Sequence, residues 1–159
     1  MKIDGVIFIL LIPYNEFTLK LYNLQVYVNI NKDSITKGVI MFELKAEMYF
    51  SAAHHLLNYD GACENMHGHN WLVEAFVRGN ELDKSNILVD YKVIKKKLKE
   101  VLDYLDHKDI NELEEFKGIS PSSEILSKFI YKKMKEKIPQ TSKITVWETS
   151  TNCASYWEE

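Results

Sequence analysis

Basic excess, long apolar runs and paired cysteines are all missing from this chain of 159 residues. Its 20 lysines and arginines face 23 acids, for a formal net charge of −3, and Arg78 is the only arginine. A chain of that balance carries no global electrostatic footprint for nucleic acid. The longest apolar run, residues 6–12, falls far short of the roughly 18 residues that a membrane-spanning helix needs. It is also a poor signal peptide, because Asp4 follows Lys2 and Pro13-Tyr14-Asn15-Glu16 stands where a small-residue cleavage site belongs. Cys63 and Cys153 lie far apart, make no disulfide framework and fit a reducing compartment. These absences predict a soluble, cytoplasmic protein that binds neither nucleic acid nor membrane. With 46% hydrophobic and 27% charged residues, the chain can bury the core of one domain and has some length to spare.

Periodicity orders that domain. Residues 17–30 alternate, with Phe17, Leu19 and Leu21 and then Leu24, Val26, Val28 and Ile30 on single faces, the pattern of a half-buried strand. A turn at Asn31-Lys32-Asp33-Ser34 closes it. From Met41 a second strand places Phe42, Leu44, Ala46, Met48 and Phe50 on one face, and residues 67–79 alternate in the same way. A loop at residues 55–66 joins these two as an antiparallel pair. The period then becomes helical. Asp90 is placed to cap a helix whose apolar stripe is Tyr91, Ile94, Leu98, Val101, Leu102 and Leu105. Ser120-Pro121 opens a second helix, which Pro139 stops. Residues 144–149 and 153–157 return as strands. Strands, two helices and strands give an α+β fold with an antiparallel sheet.

All five histidines fall within residues 54–107. His67 and His69, two apart on a strand, project from one face, and Gly68 between them relieves crowding. His54, at the end of the facing strand, reaches the same point. Three neutral imidazoles around one ion with an open position make a catalytic zinc pattern, although His-x-His alone also suits ordinary strand histidines. Cys63 lies four residues before His67, where a thiol of lowered pKa serves as base, nucleophile or fourth ligand. The fourth-ligand option describes a structural zinc module rather than an enzyme. Cys153 has no charged neighbour and reads as a packing residue. In Asp106-His107 the carboxylate can set the tautomer of the imidazole, or the pair can be a helix cap. Glu148, an acid at an apolar strand, suits the two parallel N–H donors of an amidine-like ligand edge, or else marks the exposed face of an edge strand. The lysines at 92–99 avoid the apolar stripe and read as a solvated helix face.

Phe50-Ser51-Ala52-Ala53-His54, Cys63-x-x-x-His67-Gly68-His69, Leu105-Asp106-His107, Pro121-Ser122-Ser123-Glu124 and Trp147-Glu148-Thr149 stand in an order and spacing that resembles the 6-pyruvoyl-tetrahydropterin synthase family, which includes the 6-carboxytetrahydropterin synthases. The resemblance covers residues 42–159. It implies the tunnelling fold, an antiparallel sheet with two helices on one face, assembled through trimeric barrels into a homo-hexamer with active sites at subunit interfaces. It further implies that His54, His67 and His69 bind Zn2+, Cys63 is the catalytic base, Asp106 and His107 relay protons, and Glu148 with Thr149 binds the pterin. The implied substrate is 7,8-dihydroneopterin triphosphate, cleaved in the 6-carboxy branch to 6-carboxytetrahydropterin, acetaldehyde and triphosphate on the way to 7-deazaguanines such as queuosine and archaeosine. Glu64-Asn65-Met66-His67-Gly68-His69 also fits the Glu-x-x-His-Gly-His pattern of a sister branch that makes 6-hydroxymethyl-7,8-dihydropterin, with Glu64 as alternative base. Residues 1–40 match no family motif. They are expected to be an added hairpin, or an untranslated upstream extension with Met41 as the start, and 41–159 the catalytic domain.

Overall fold

The alternation at residues 17–30 is split between two strands rather than carried by one. The computed structural model describes residues 18–21, 24–27 and 41–159, and the chain falls into two units, Met1–Val39 and Ile40–Glu159. In the first, β1 (Thr18–Leu21) pairs antiparallel with β2 (Leu24–Tyr27), Leu21 opposite Leu24. The apolar positions change from odd to even numbers between Leu21 and Leu24, the point at which the chain reverses. The apolar run at 6–12 and the turn at Asn31-Lys32-Asp33-Ser34 lie outside the described residues.

The second unit is one antiparallel sheet in the order β3 (Phe42–His54), β4 (His67–Gly79), β5 (Thr141–Trp147), β6 (Cys153–Tyr156). Phe42 pairs with Gly79 and the ladder runs unbroken to His54 opposite His67. Alternation puts Ala46, Phe50 and Ala52 of β3, Trp71, Val73, Ala75 and Val77 of β4, and Ile144 and Val146 of β5 on one buried face. Helices α1 (Tyr91–Leu102) and α2 (Ser123–Lys137) cover that face with Ile94, Leu98, Val101, Leu102, Leu126, Ile130 and Met134. The result is the expected α+β arrangement. The opposite face is mixed along β3 and β4, Tyr49, Leu72 and Phe76 standing among charged residues, and there Lys45 bonds Glu74 at 2.8 Å and Glu74 also accepts from Trp147 Nε1 at 3.0 Å.

Asp90 caps α1 as expected, its carboxylate accepting the Lys92 N–H at 2.7 Å. Tyr91 departs from the expected stripe and is exposed, and Leu105 is buried beyond the helix end. Helix α2 begins at Ser123 with Ser122 as its cap residue, later than Ser120-Pro121 suggests. Those two residues are spent elsewhere: Ser120 Oγ bonds the Leu57 backbone and the Pro121 carbonyl bonds a histidine ring. Cys153, expected in packing, is exposed at the start of β6. Among the described residues no helix is long and apolar enough to cross a membrane.

Candidate metal centre and active site

The last rung of the β3/β4 ladder sets the site. His54 faces His67 across it, and Ala52 faces His69 two residues in. The ring centroids of His54, His67 and His69 lie 4.6, 4.8 and 5.3 Å apart. His54 Nδ1 is 2.8 Å from the Pro121 carbonyl oxygen, and His67 Nδ1 is 2.7 Å from that of Asn65. A carbonyl oxygen only accepts, so both rings carry their proton on Nδ1 and leave Nε2 as a bare lone pair. The Nε2 atoms of His54, His67 and His69 are all buried without a hydrogen-bond partner. Unpartnered buried polar atoms are costly, and three ring nitrogens facing one another, those of His54 and His67 fixed as acceptors, are what a cation would satisfy. The donor atoms of these histidines and a Glu148 carboxylate oxygen lie within 4.8 Å of one another. The residues therefore fit a divalent metal, with backbone carbonyls orienting two of the rings from behind.

Trp71 forms the floor. Fully buried, it stands edge-on to His54 and His69, with centroids 4.9 and 5.0 Å away, and donates from Nε1 to the Ala52 carbonyl at 3.3 Å. Burial pushes the His54 imidazole below its ordinary pKa, against the opposing pull of its bond to Pro121. Burial likewise lowers His69, opposed by the Glu148 charge. Both rings are thereby kept neutral and free to ligate.

Glu148 and Thr149 lie on the turn between β5 and β6, just past the strand expected to carry the acid. The Glu148 N–H donates to the Asn152 carbonyl at 3.0 Å, and Thr149 Oγ1 accepts the Asn152 N–H at 3.1 Å. Glu148 Oε1 is 3.3 Å from His69 Nε2. Glu148 thus belongs to the histidine group, a position that its strand pattern alone does not reveal. Thr149 borders a separate cleft of about 450 Å³ with Tyr49, Asn70, Glu74 and Trp147.

Asp106 and His107 follow α1 and fold against the outer edge of β3. Asp106 Oδ1 accepts the Ser51 N–H at 2.8 Å, and its Oδ2 is 2.9 Å from His107 Nδ1. The Ser51 N–H, then the His107 ring, hold the Asp106 carboxyl below the usual carboxylate range. His107 is 81% exposed in its side chain and adopts a left-handed backbone, φ 56°. It shares an open cleft of about 480 Å³ with His69. Cys63 and Glu64 sit together on a single 3-10 turn, Ala62–Glu64, with Cys63 half-buried. The Cys63 thiol is not a member of the histidine group, so the module closed by a cysteine ligand gains no support. Sequence reasoning missed Trp71, Asn65 and Pro121 as parts of the centre. Ser120-Pro121 stands out in the sequence but signals a helix start, and nothing marks the Asn65 carbonyl.

Fold and site together define an α+β protein with a three-histidine candidate metal centre at the mouth of a long strand pair. Residues 43–159 match the family model described as 6-pyruvoyl tetrahydropterin synthase. The chain is 34% identical over 125 residues to the 6-carboxy-5,6,7,8-tetrahydropterin synthase of Bacillus subtilis, covering 72% of this chain and 84% of that protein. With the 6-pyruvoyl tetrahydrobiopterin synthase of Dictyostelium discoideum it shares 33% identity over 99 residues, 60% of this chain and 73% of that one. The solved 6-pyruvoyl tetrahydropterin synthase of Caenorhabditis elegans superposes with a TM-score of 0.70 at 27% identity, covering 76% of this chain and 98% of that chain. This chain belongs to the 6-pyruvoyl tetrahydropterin synthase family, and its function is of the pterin-synthase type.

Proposed function

We propose that this enzyme converts 7,8-dihydroneopterin triphosphate to 6-carboxy-5,6,7,8-tetrahydropterin, acetaldehyde and triphosphate for 7-deazaguanine (queuosine and archaeosine) biosynthesis. It acts as a cytoplasmic homo-hexamer, a dimer of trimers, with 41–159 as the catalytic domain. The observation that carries the reading is the set of three buried Nε2 atoms without hydrogen-bond partners on His54, His67 and His69, which would hold zinc with an open position for substrate. Zinc bound there supplies a Lewis acid for the negative charge that develops as the substrate side chain loses protons. Cys63, as thiolate, takes a proton from that side chain. His107 delivers or accepts one on the other side, its Nδ1–H held by the ionised Asp106. Glu148 accepts two N–H bonds from the amino-pyrimidine edge of the pterin, and Thr149 shapes the turn beside it.

A second reading draws on the neighbour of Cys63. Glu64 occupies the same 3-10 turn and is exposed, which supports a reading with Glu64 as base for 6-hydroxymethyl-7,8-dihydropterin formation. The Dictyostelium relative keeps 6-pyruvoyltetrahydropterin as a third product to test. Incubating the zinc-loaded protein with 7,8-dihydroneopterin triphosphate and separating the pterins decides among them. Acetaldehyde with 6-carboxytetrahydropterin is expected; either other pterin replaces the leading reading, and no turnover removes it.

A further inference from the structure

Strand β3 is an edge of its sheet, and an edge strand leaves every second N–H and C=O without a partner. From Ser51 to Leu57 every outward N–H of this edge is nevertheless satisfied, by one stretch of chain, residues 106–120. The Ser51 N–H goes to Asp106 Oδ1 at 2.8 Å, and the Ser51 carbonyl takes the His107 N–H at 2.6 Å. The Ala53 N–H goes to the Lys108 carbonyl at 2.9 Å, and Ala53 forms a parallel bridge with Asp109. Beyond Asp109 the chain rolls into two 3-10 turns, Ile110–Glu112 and Glu114–Phe116, and its backbone no longer follows β3.

Side chains take over at that point. Asn111 Oδ1 accepts the His55 N–H at 2.9 Å while its Nδ2 donates to the His55 carbonyl at 3.0 Å. A carboxamide has the donor and acceptor layout of a peptide group, so Asn111 supplies the next rung of a strand that is not there. Ser120 Oγ supplies the following one, accepting the Leu57 N–H at 2.8 Å and donating to the Leu57 carbonyl at 3.2 Å.

What these rungs hold is specific. His54 lies between Ala53 and His55, so its backbone is pinned on both sides while Pro121 fixes its ring. Leu57 adjoins Leu56, whose N–H bonds the Cys63 carbonyl at 2.9 Å and ties the loop bearing Cys63 and Glu64 back to the strand. We infer that Asn111 and Ser120 are positioning residues with separable tasks: Asn111 aims His54 Nε2 at the metal, and Ser120 sets the stem of the loop that carries the base. The inference rests on the zinc reading above.

The test measures Co2+ and Zn2+ dissociation constants by chelator competition, together with kcat and KM, on the full chain. Asn111→Ala is expected to weaken metal binding about tenfold, the effect typical of losing a group that orients a ligand. Asn111→Asp, isosteric but lacking the donor to the His55 carbonyl, should fall between it and wild type, and it keeps the test alive if the alanine variant does not fold. Ser120→Ala should leave the metal dissociation constant unchanged and lower kcat about tenfold with KM little altered, and Ser120→Thr should recover kcat. Wild-type metal affinity in both Asn111 variants, or loss of metal affinity in Ser120→Ala alongside kcat, would overturn the assignment. A wild-type protein that takes up neither metal would instead overturn the zinc reading itself, and this inference with it.

Discussion

His107 carries its imidazole on a left-handed backbone, φ 56°, where a Cβ costs about 1–2 kcal/mol relative to the right-handed region. Asparagine tolerates that region and glycine does so freely, so neither His107→Asn nor His107→Gly should lower the thermal midpoint. Turnover should fall about 10²–10⁴-fold in both, the usual worth of a proton-transfer group. A variant that keeps turnover would remove His107 from the relay. The pH response of the metal-free protein follows from His54 and His69, whose folded pKa values lie below the ordinary one because burial disfavours their charged forms. As pH falls through about 6.5 the unfolded chain protonates first, so stability declines from there down to the lowered folded values and then levels off. Thermal unfolding of chelated protein between pH 8 and pH 5 checks this, and a midpoint that rises on acidification contradicts it. Metal binding should persist somewhat below pH 6.5 for the same reason.

At the scale of elements, one loop invites a direct test. A Cβ on Gly61 would lie 2.6 Å from Tyr59 Cε1, so Gly61→Ala must swing that exposed ring aside. The stability cost should stay near 0.5 kcal/mol, as for other surface changes. Because Ala62–Glu64 follows directly, kcat should drop several-fold while bound metal is unchanged; wild-type kcat would show that Tyr59 has no hold on the turn. Strands β3 and β4 and helix α1 were legible because each has a one-sided repeat, and the histidine trio because His67 and His69 alternate on a strand facing the end at His54. Residue contacts across the fold were not. Ser120-Pro121 reads locally as a helix start, yet its hydroxyl and carbonyl serve Leu57 and His54 more than 60 positions earlier in the chain. Glu148 joins the centre only through the β4/β5 register, Leu72 opposite Trp147, which no local pattern encodes.

For the whole molecule, the open edges matter most. Residues 106–120 cover only the second half of the outer edge of β3, and among the described residues its first half and β6 carry no neighbouring strand. Open edges of this kind favour pairing with another copy, in keeping with the proposed hexamer. If one active site draws Cys63 and His107 from different subunits, mixing Cys63→Ala with His107→Asn protein after dissociation and reassembly should restore part of the activity that each lacks alone. Sedimentation should give the hexamer at the same concentration. A fully active monomer would end the assembly proposal, and a hexamer without complementation would place both residues in one subunit.

The pairing of His54 with His67 as the final rung has a consequence for the ribbon they end. An ion gripped there is a clasp across the open end of two long strands. The feet of the 55–66 loop are already held by Asn111, Ser120 and the Leu56–Cys63 bond, and an ion there would add a further tie at the root. If the proposed zinc and the proposed base Cys63 both hold, the ion that would prepare the substrate would also stiffen the root of the loop bearing the thiol, and removing the metal should loosen that loop as well as empty the site.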